Sequence, residues 1–154
     1  MAGKIEIRLA ELGITLPVAA APLANYVPYV RTGNLVVISG QIPIVDGRIV
    51  YTGKISQGRS INDGQDAARL CFINVLAQLK SACFNLDRVH RVVRLGGFIA
   101  APGDFTAHAQ VMNGASDLAV AVFGDAGRHA RSTIGVASLP GDATVEVDGI
   151  FEID

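Results

Sequence analysis

Three short clusters of polar residues interrupt the apolar stretches of this sequence. They are Asn25-Tyr26, Ser39-Gly40-Gln41 and Arg131-Ser132-Thr133. An arginine offers a planar fork of donors that matches a carboxylate with two parallel hydrogen bonds, which a lysine cannot do. Glu146, in the last apolar run, could accept a hydrogen bond from a water molecule and make it a better nucleophile. Residues of these types could together hold a small organic acid beside an activated water.

Each of these residues also has an ordinary structural interpretation. An arginine and a glutamate on neighbouring strands more often form a cross-strand pair than a site. Tyr26 could be an interface aromatic with a hydrated hydroxyl, Ser39 a turn residue, and Asn113 an amide on a helix surface. The residue types alone leave both interpretations open.

Other chemistries have little support from spacing. No Walker loop, GxSxG, CxxC, HxxxH or HExxH motif occurs, so no metal site is predicted. His129 lies close to Arg131 and could be a general base, although a solvated loop histidine is the more common case. Cys71 and Cys83 fall on the apolar side of one helical pattern, about 18 Å apart. That distance is too long for a disulfide, and neither thiol is expected to be catalytic.

The N-terminal third of the chain predicts one helix and a hairpin. Residues 4–12 predict a short helix that ends at Gly13. Residues 16–28, with three prolines, predict an extended covering strand or loop. Residues 35–40 and 48–51 flank the turn signal Asp46-Gly47 and predict a β-hairpin.

The middle of the chain predicts a long helix and a strand. Ser60 to Asp63 resembles a capping box, and apolar residues then recur at helical spacing to about Phe84. Residues 89–100 predict a strand, in which the pair Gly96-Gly97 indicates a bulge or a close backbone approach.

The C-terminal third predicts a second helix and two strands. Asp104 or Thr106 could cap the helix, and Gly114 weakens it by about 1 kcal/mol relative to alanine. Residues 132–138 and 144–153 predict strands joined by a turn with proline and glycine. Amphipathic helices on one side of a sheet leave its other face in need of a partner, so an α+β oligomer is expected.

Composition narrows the class of protein. The 154 residues fit one domain. Hydrophobic residues make up 50% of the sequence and charged residues only 18%, and this composition favours an oligomer that buries apolar surface between its subunits. The net charge of −1 gives no attraction toward nucleic acid or anionic membranes. The apolar stretch of residues 16–24 is short and contains two prolines, so it predicts neither a membrane span nor a signal peptide. A cytoplasmic location is therefore expected.

Two stretches resemble the signatures of the Rid (RidA/YjgF) family. Residues 33–43, GNLVVISGQIP, are similar to its strand signature, and Arg131-Ser132 followed by Val136, Leu139-Pro140 and Val145-Glu146-Val147 is similar to its C-terminal one. The match runs from about Tyr26 to the C-terminus, so we interpret residues 1–154 as a single Rid-like domain with an N-terminal extension over residues 1–25. The resemblance implies a chorismate-mutase-like α+β fold with two helices packed on one face of the sheet. It also implies a homotrimer with a central barrel and three clefts between subunits.

The implied activity is the hydrolysis of reactive 2-imino or enamino acids to 2-oxo acids and ammonia, without a cofactor. Arg131 resembles the family arginine that holds the substrate carboxylate, and Glu146 the acid that positions water. Tyr26, Ser39, Gly40 and Asn113 resemble pocket residues. Thr133 stands where many members have cysteine, which argues against a covalent thiol mechanism and leaves its backbone groups available. Proximity to Arg131 would favour the ionised form of Glu146.

Two other functions compete with this one. A non-catalytic module that binds 2-oxo acids could use the same arginine, because holding a carboxylate requires no water activation. A ribonuclease or translation inhibitor is disfavoured, because the basic residues are dispersed and tryptophan is absent.

Overall fold

A five-stranded mixed sheet forms the centre of the protein. A computed structural model describes residues 1–21 and 24–154. The strands are β1 (Tyr29–Thr32), β2 (Leu35–Gln41), β3 (Ile44–Val45), β4 (Arg48–Ile49), β5 (Lys54–Ile55), β6 (Gly58–Arg59), β7 (Val89–Ala100), β8 (Ala130–Val136) and β9 (Val145–Ile153). The central sheet has the order β1-β2-β9-β7-β8, antiparallel throughout except between β7 and β8. The predicted α+β class is confirmed.

The turn at Asp46-Gly47 closes a smaller hairpin than predicted. Both residues have positive φ angles, 50° and 78°, as a two-residue type I′ turn requires. Such a turn pairs the residues that flank it immediately, so it joins β3 to β4. The prediction that residues 35–40 pair with residues 48–51 is therefore wrong, because β2 lies between β1 and β9.

Helix α2 (Ile61–Cys83) covers the middle of the sheet. The predicted capping box is confirmed: the Ser60 hydroxyl accepts from the Asp63 N–H, and the Asp63 carboxylate accepts from the Ser60 N–H, both at 3.0 Å. Phe84 ends the helix in the left-handed conformation. Phe72 and Leu76, four residues apart, are fully buried. The run from Val75 to Leu79 is buried as well, so the middle of the helix is enclosed on more than the one apolar side that the periodicity predicted.

Helix α3 (His108–Phe123) lies beside α2. It begins after Ala107 without a side-chain cap, so the predicted caps Asp104 and Thr106 are wrong. A turn over residues 102–105 holds the chain outside the helix at that point. A side chain at Gly114 would collide with the backbone of Gln65 in α2, so this glycine lets the two helices approach closely.

The two faces of the sheet differ in character. The face under α2 and α3 carries Leu95 and Val147, which are completely buried. The other face, which we call the open face, carries Val37 and Ile134, and these are 40% and 50% exposed. One chain therefore leaves an apolar sheet face uncovered.

The pair Gly96-Gly97 is a close approach and not a bulge. A side chain at Gly97 would collide with Met112 of α3, and one at Gly96 would collide with the carboxyl group of Asp148. The register irregularities of β7 lie nearer its start, before Leu95. Glycine is therefore needed on both faces of the sheet at this point.

The N-terminal residues fold back onto the helical layer. Helix α1 (Lys4–Glu11) is capped by Asp87, whose carboxylate accepts from the N–H groups of Lys4 and Ile5 at 2.9 Å each. Residues 15–21 and 24–28 form neither helix nor strand, in agreement with a covering loop, and residues 22 and 23 of the predicted segment lie outside the described residues. In the described ranges no helix combines the length and apolar character needed to cross a membrane.

Candidate functional site

Arg131 lies on the edge strand β8 with one side of its guanidinium group unused. It is opposite Leu95 on β7 and therefore points toward α3. Its Nη1 donates to Asn113 Oδ1 at 2.9 Å and to the Ser116 hydroxyl at 3.0 Å, and its Nη2 donates to the Ala109 carbonyl at 3.4 Å. Within residues 1–21 and 24–154, the Nε–H and one Nη2–H have no acceptor. Nε and Nη2 lie on the same edge of the guanidinium plane, which is the edge that binds a carboxylate bidentately.

A histidine supports Arg131 from behind. The Ser116 hydroxyl lies 2.8 Å from Nε2 of His129, and Nδ1 lies 2.6 Å from the Gly127 carbonyl oxygen. Because a carbonyl oxygen only accepts, Nδ1 of His129 is the donor to Gly127, and in the neutral ring Nε2 then accepts from the Ser116 hydroxyl. The oxygen of that hydroxyl in turn accepts from Nη1 of Arg131. The expectation of a solvated loop histidine is wrong, since the 3₁₀ turn Gly124–Gly127 folds this half-buried ring against α3.

Thr133 lies two residues further along β8 and faces the same side. Its hydroxyl oxygen is buried and has no hydrogen-bond partner among the residues that the structure describes. The Val136 carbonyl accepts from the Ala101 N–H, which follows β7. In the alternating pattern of a parallel ladder, the backbone N–H and C=O of Thr133 therefore point to the free edge of the sheet. Arg131 and Thr133 thus present unsatisfied polar groups at one edge.

Glu146 lies on the open face of the sheet. Burial alternates along β9, with Val145 and Val147 in the core and Glu146 half-buried on the other side. Gly40 of β2 lies so close that a side chain there would collide with the Glu146 carboxyl group. A glycine at this position therefore makes room for the carboxylate.

Ser39 and Tyr26 border the same region. The Ser39 hydroxyl donates to the Val27 carbonyl at 2.8 Å, and the Ser39 N–H donates to the Pro28 carbonyl at 2.9 Å. These bonds fix the loop that carries Tyr26. The half-exposed Tyr26 then lines a cavity of about 540 Å³ together with Gly40 and Glu146.

Within one chain, Arg131 and Glu146 belong to different surfaces. Strand β7 separates their strands, and their partners on β7 are Leu95 and Phe98, three residues apart. Two strand spacings and three residues correspond to roughly 14 Å between the Cα atoms. The side chains also point to opposite faces of the sheet. The idea that they form a pair on neighbouring strands is therefore wrong.

The charge state of Glu146 follows from this separation. Burial raises the pKa of the Glu146 carboxyl group, and the negative charge of Asp148 on the same face raises it further. The expectation that Arg131 favours the ionised form does not hold within one chain, because the sheet lies between the two groups. A carboxylate with a raised pKa is a stronger base than an ordinary glutamate.

The two cysteines are buried in the core, where a substrate does not reach them. Cys71 and Cys83 both have no exposed surface. Burial raises the pKa of both thiols, so the reactive thiolate form is disfavoured.

Sequence reasoning missed Ser116, and it named Asn113 and His129 without connecting them to the support of Arg131. Neither Ser116 nor His129 belongs to a recognisable motif, and the two are 13 residues apart in sequence. A weak signal exists in the spacing of Asn113 and Ser116, because residues three apart share one side of a helix. Their common target on β8 becomes visible only when α3 is packed against that strand.

Several known proteins are similar to this chain in sequence and in fold. A family model described as "YjgF/chorismate mutase-like, putative endoribonuclease" matches residues 6–149. Protein TCP17 from Trypanosoma cruzi is 46% identical over 153 residues, which cover 99% of this chain and 96% of the relative. A 2-iminobutanoate/2-iminopropanoate deaminase from Dermatophagoides farinae is 33% identical over 141 residues, covering 92% of this chain and 95% of the relative. The crystal structure of a protein of unknown function from Agrobacterium tumefaciens matches with a TM-score of 0.92 at 48% identity, covering 97% of this chain and 92% of that one.

Proposed function

Because the chain belongs to the YjgF/chorismate-mutase-like family, we propose that it hydrolyses 2-imino and enamino acids to 2-oxo acids and ammonia in clefts between subunits of a homotrimer. The free Nε and Nη2 donors of Arg131 carry this proposal, because a fixed arginine with one open side suits the carboxylate of such a substrate. A relative at 33% identity bears the name of this activity.

Two copies of the chain are needed to complete the proposed cleft. One copy supplies Arg131, Asn113 and Thr133 at the edge of β8, and its neighbour supplies Glu146 with the residues around it, namely Tyr26, Ser39 and Gly40. A head-to-tail contact between two different surfaces generates a closed ring when the rotation between copies closes. The apolar open face would be buried in the centre of such a ring, as in the trimeric barrel that the family resemblance implies.

In the proposed reaction, the copy that supplies Arg131 binds the substrate and the copy that supplies Glu146 activates water. Arg131 holds the carboxylate, and the backbone N–H and C=O of Thr133 border the reacting carbon. Glu146 of the neighbouring copy accepts a proton from water as a C–O bond forms at the imine carbon, and it returns this proton to the imine nitrogen to give a carbinolamine. Glu146 then moves the hydroxyl proton of the carbinolamine to the amine nitrogen, the C–N bond breaks as the C=O bond forms, and ammonia leaves the 2-oxo acid. Within one chain, burial and the charge of Asp148 raise the pKa of Glu146, which makes its carboxylate a stronger base.

Mixing two inactive variants tests both the activity and the sharing of the cleft. Arg131→Ala and Glu146→Gln are each expected to lose most of the ammonia release from 2-imino acids that an amino-acid oxidase generates in situ. When the two are unfolded together and refolded at equal amounts, random assembly should place both intact halves in about one quarter of the clefts. We expect about one quarter of the wild-type activity to return.

The outcomes separate the competing functions. No recovered activity in verified mixed trimers would place both residues in one subunit's site and contradict the shared cleft. A wild type that binds 2-oxo acids through Arg131 but never releases ammonia would indicate the non-catalytic binding module. In that case, Glu146→Gln should leave the affinity unchanged.

A further inference from the structure

We infer that residues 17–21 of the N-terminal segment complete an apolar subsite beside Glu146, which receives the side chain of the substrate. The preferred substrates are then 2-imino acids with large apolar side chains, such as those that arise from leucine or phenylalanine. This inference rests on the proposed function and deepens it.

The cavity beside Glu146 is larger than a three- or four-carbon acid requires. Its volume is about 540 Å³, within the range of sites that enclose much larger ligands. Apolar groups from three separate parts of the chain form its walls, and these include Pro17, Ala20, Ala21, Pro28, Ile42 and Ile44. A cavity of this size with apolar walls binds most favourably a substrate that buries a hydrocarbon side chain in it.

Two amides of α2 hold the walls in place. Asn74 donates from Nδ2 to the carbonyl oxygens of Ile42 and Ile44 at 3.0 and 3.1 Å. One helical turn later, Gln78 donates from Nε2 to the Ala20 carbonyl at 2.8 Å, and this side chain is only 1% exposed. Both amide nitrogens are therefore engaged in fixing the cavity walls, including the N-terminal one.

The charges at the cavity set the orientation of the substrate. Glu146 and Asp46 line it, and among its described lining residues none is a lysine, arginine or histidine. Two acidic groups without a cation repel a carboxylate. The acid end of the substrate is therefore directed to Arg131 of the neighbouring copy, and the opposite end of the molecule enters the cavity.

The N-terminal wall is anchored before it reaches the cavity. Leu9 of α1 and Ile14 are buried in the core, and Arg8 donates from Nε to the Ala121 carbonyl at 2.8 Å. Pro17 then restricts the backbone at the start of the wall. The segment is therefore held before the wall by these contacts and near the far end of the wall by the bond from Gln78 to Ala20, which gives the subsite a defined shape.

Filling the subsite tests the inference. Leucine carries three more side-chain carbons than alanine, and each buried methylene is worth about fourfold in kcat/KM. We expect the wild type to hydrolyse the leucine-derived imine with a kcat/KM at least about tenfold above that of the alanine-derived imine. Ala21→Trp should fill the subsite, lower the kcat/KM for the leucine-derived imine and so abolish this preference. The matched control is Ala19→Trp, in the same segment but outside the cavity lining, and it should keep the preference.

Binding measured by calorimetry separates this inference from the proposed catalysis. The full-length protein should bind 4-methyl-2-oxopentanoate at least about tenfold more tightly than pyruvate, and Ala21→Trp should remove the difference. If no imine is hydrolysed but this difference is found, the subsite stands and the deaminase proposal fails. If imines are hydrolysed without any preference, the subsite is refuted and the deaminase proposal stands.

Two further results would overturn the subsite. The first is equal affinity for both oxo acids, or no binding of either. The second is a change in oligomeric state on Ala21→Trp alone, which would mean that a neighbouring copy fills the cavity. Gln78→Leu provides a second variant that keeps the buried volume but removes the donor to Ala20, and it should weaken the preference several-fold.

Discussion

Replacing Arg131 by alanine is expected to lower kcat/KM for imine hydrolysis by at least about tenfold. The free Nε and Nη2 donors can form two charge-assisted hydrogen bonds to a carboxylate, each worth about 1.5–3 kcal/mol. Loss of a single bond at the lower end of this range already exceeds the 1.4 kcal/mol that corresponds to one decade in rate. The loss should appear in kcat/KM, because the carboxylate is held in both the ground state and the transition state.

Arg131→Lys should restore only part of this loss. The guanidinium group satisfies Asn113 and Ser116 with Nη1 while its other side stays free for the substrate. A lysine keeps the positive charge but has one compact ammonium group, which cannot reach both helix residues and a bidentate carboxylate. The matched control is Arg128→Ala, since Arg128 is an exposed arginine three residues away that pairs with Asp125. This control should leave activity unchanged.

The assay is the release of ammonia from 2-imino acids that an amino-acid oxidase generates, with the oligomeric state checked by light scattering. The carboxylate-clamp reasoning is refuted if Arg131→Ala accelerates hydrolysis as well as the wild type does while the assembly stays intact. A loss of activity together with dissociation of the oligomer would assign Arg131 to assembly instead.

Four other outcomes are expected. Light scattering at micromolar concentration should report a trimer, and a monomer would remove the shared cleft. The double variant Cys71→Ala and Cys83→Ala should keep the turnover per folded trimer, because both thiols are buried and protonated; abolished turnover in an intact trimer would contradict this. Asp148→Asn should move the acid limb of the kcat/KM profile to lower pH, because it removes a negative charge that raises the pKa of Glu146, and an unmoved limb would contradict that cause. Gly114→Ala should lower the melting temperature although alanine is the better helix former by about 1 kcal/mol, because its side chain would collide with the backbone of α2; a higher melting temperature would show that the helices can move apart.

Features that depend on neighbouring residues were predicted well. The capping box at Ser60, the strand over residues 89–100 and the helix pattern that follows Ser60 all depend on contacts or periodicity within a few residues. The error in strand pairing has the opposite origin. The turn at Asp46-Gly47 is correctly identified, but the strands that flank it are shorter than predicted. The alternative that Arg131 and Glu146 lie on neighbouring strands also fails, because β7 lies between β8 and β9 although it precedes both in sequence. Pairing order is decided by packing between distant segments, which local patterns do not encode.

The sequence by itself determined which residues are candidates for polar chemistry, because an arginine, a glutamate and the strand end Ser39-Gly40-Gln41 are recognisable by type and order. Only the tertiary structure decided how they are grouped. The face on which a strand residue lies depends on the register of its strand against the neighbours, and a shift of one residue reverses it. The register places Arg131 against α3, where Ser116 and His129 support it, and Glu146 on the open face beside Gly40. The separation of the two groups by the sheet, from which the shared cleft is proposed, is therefore a property of the folded chain.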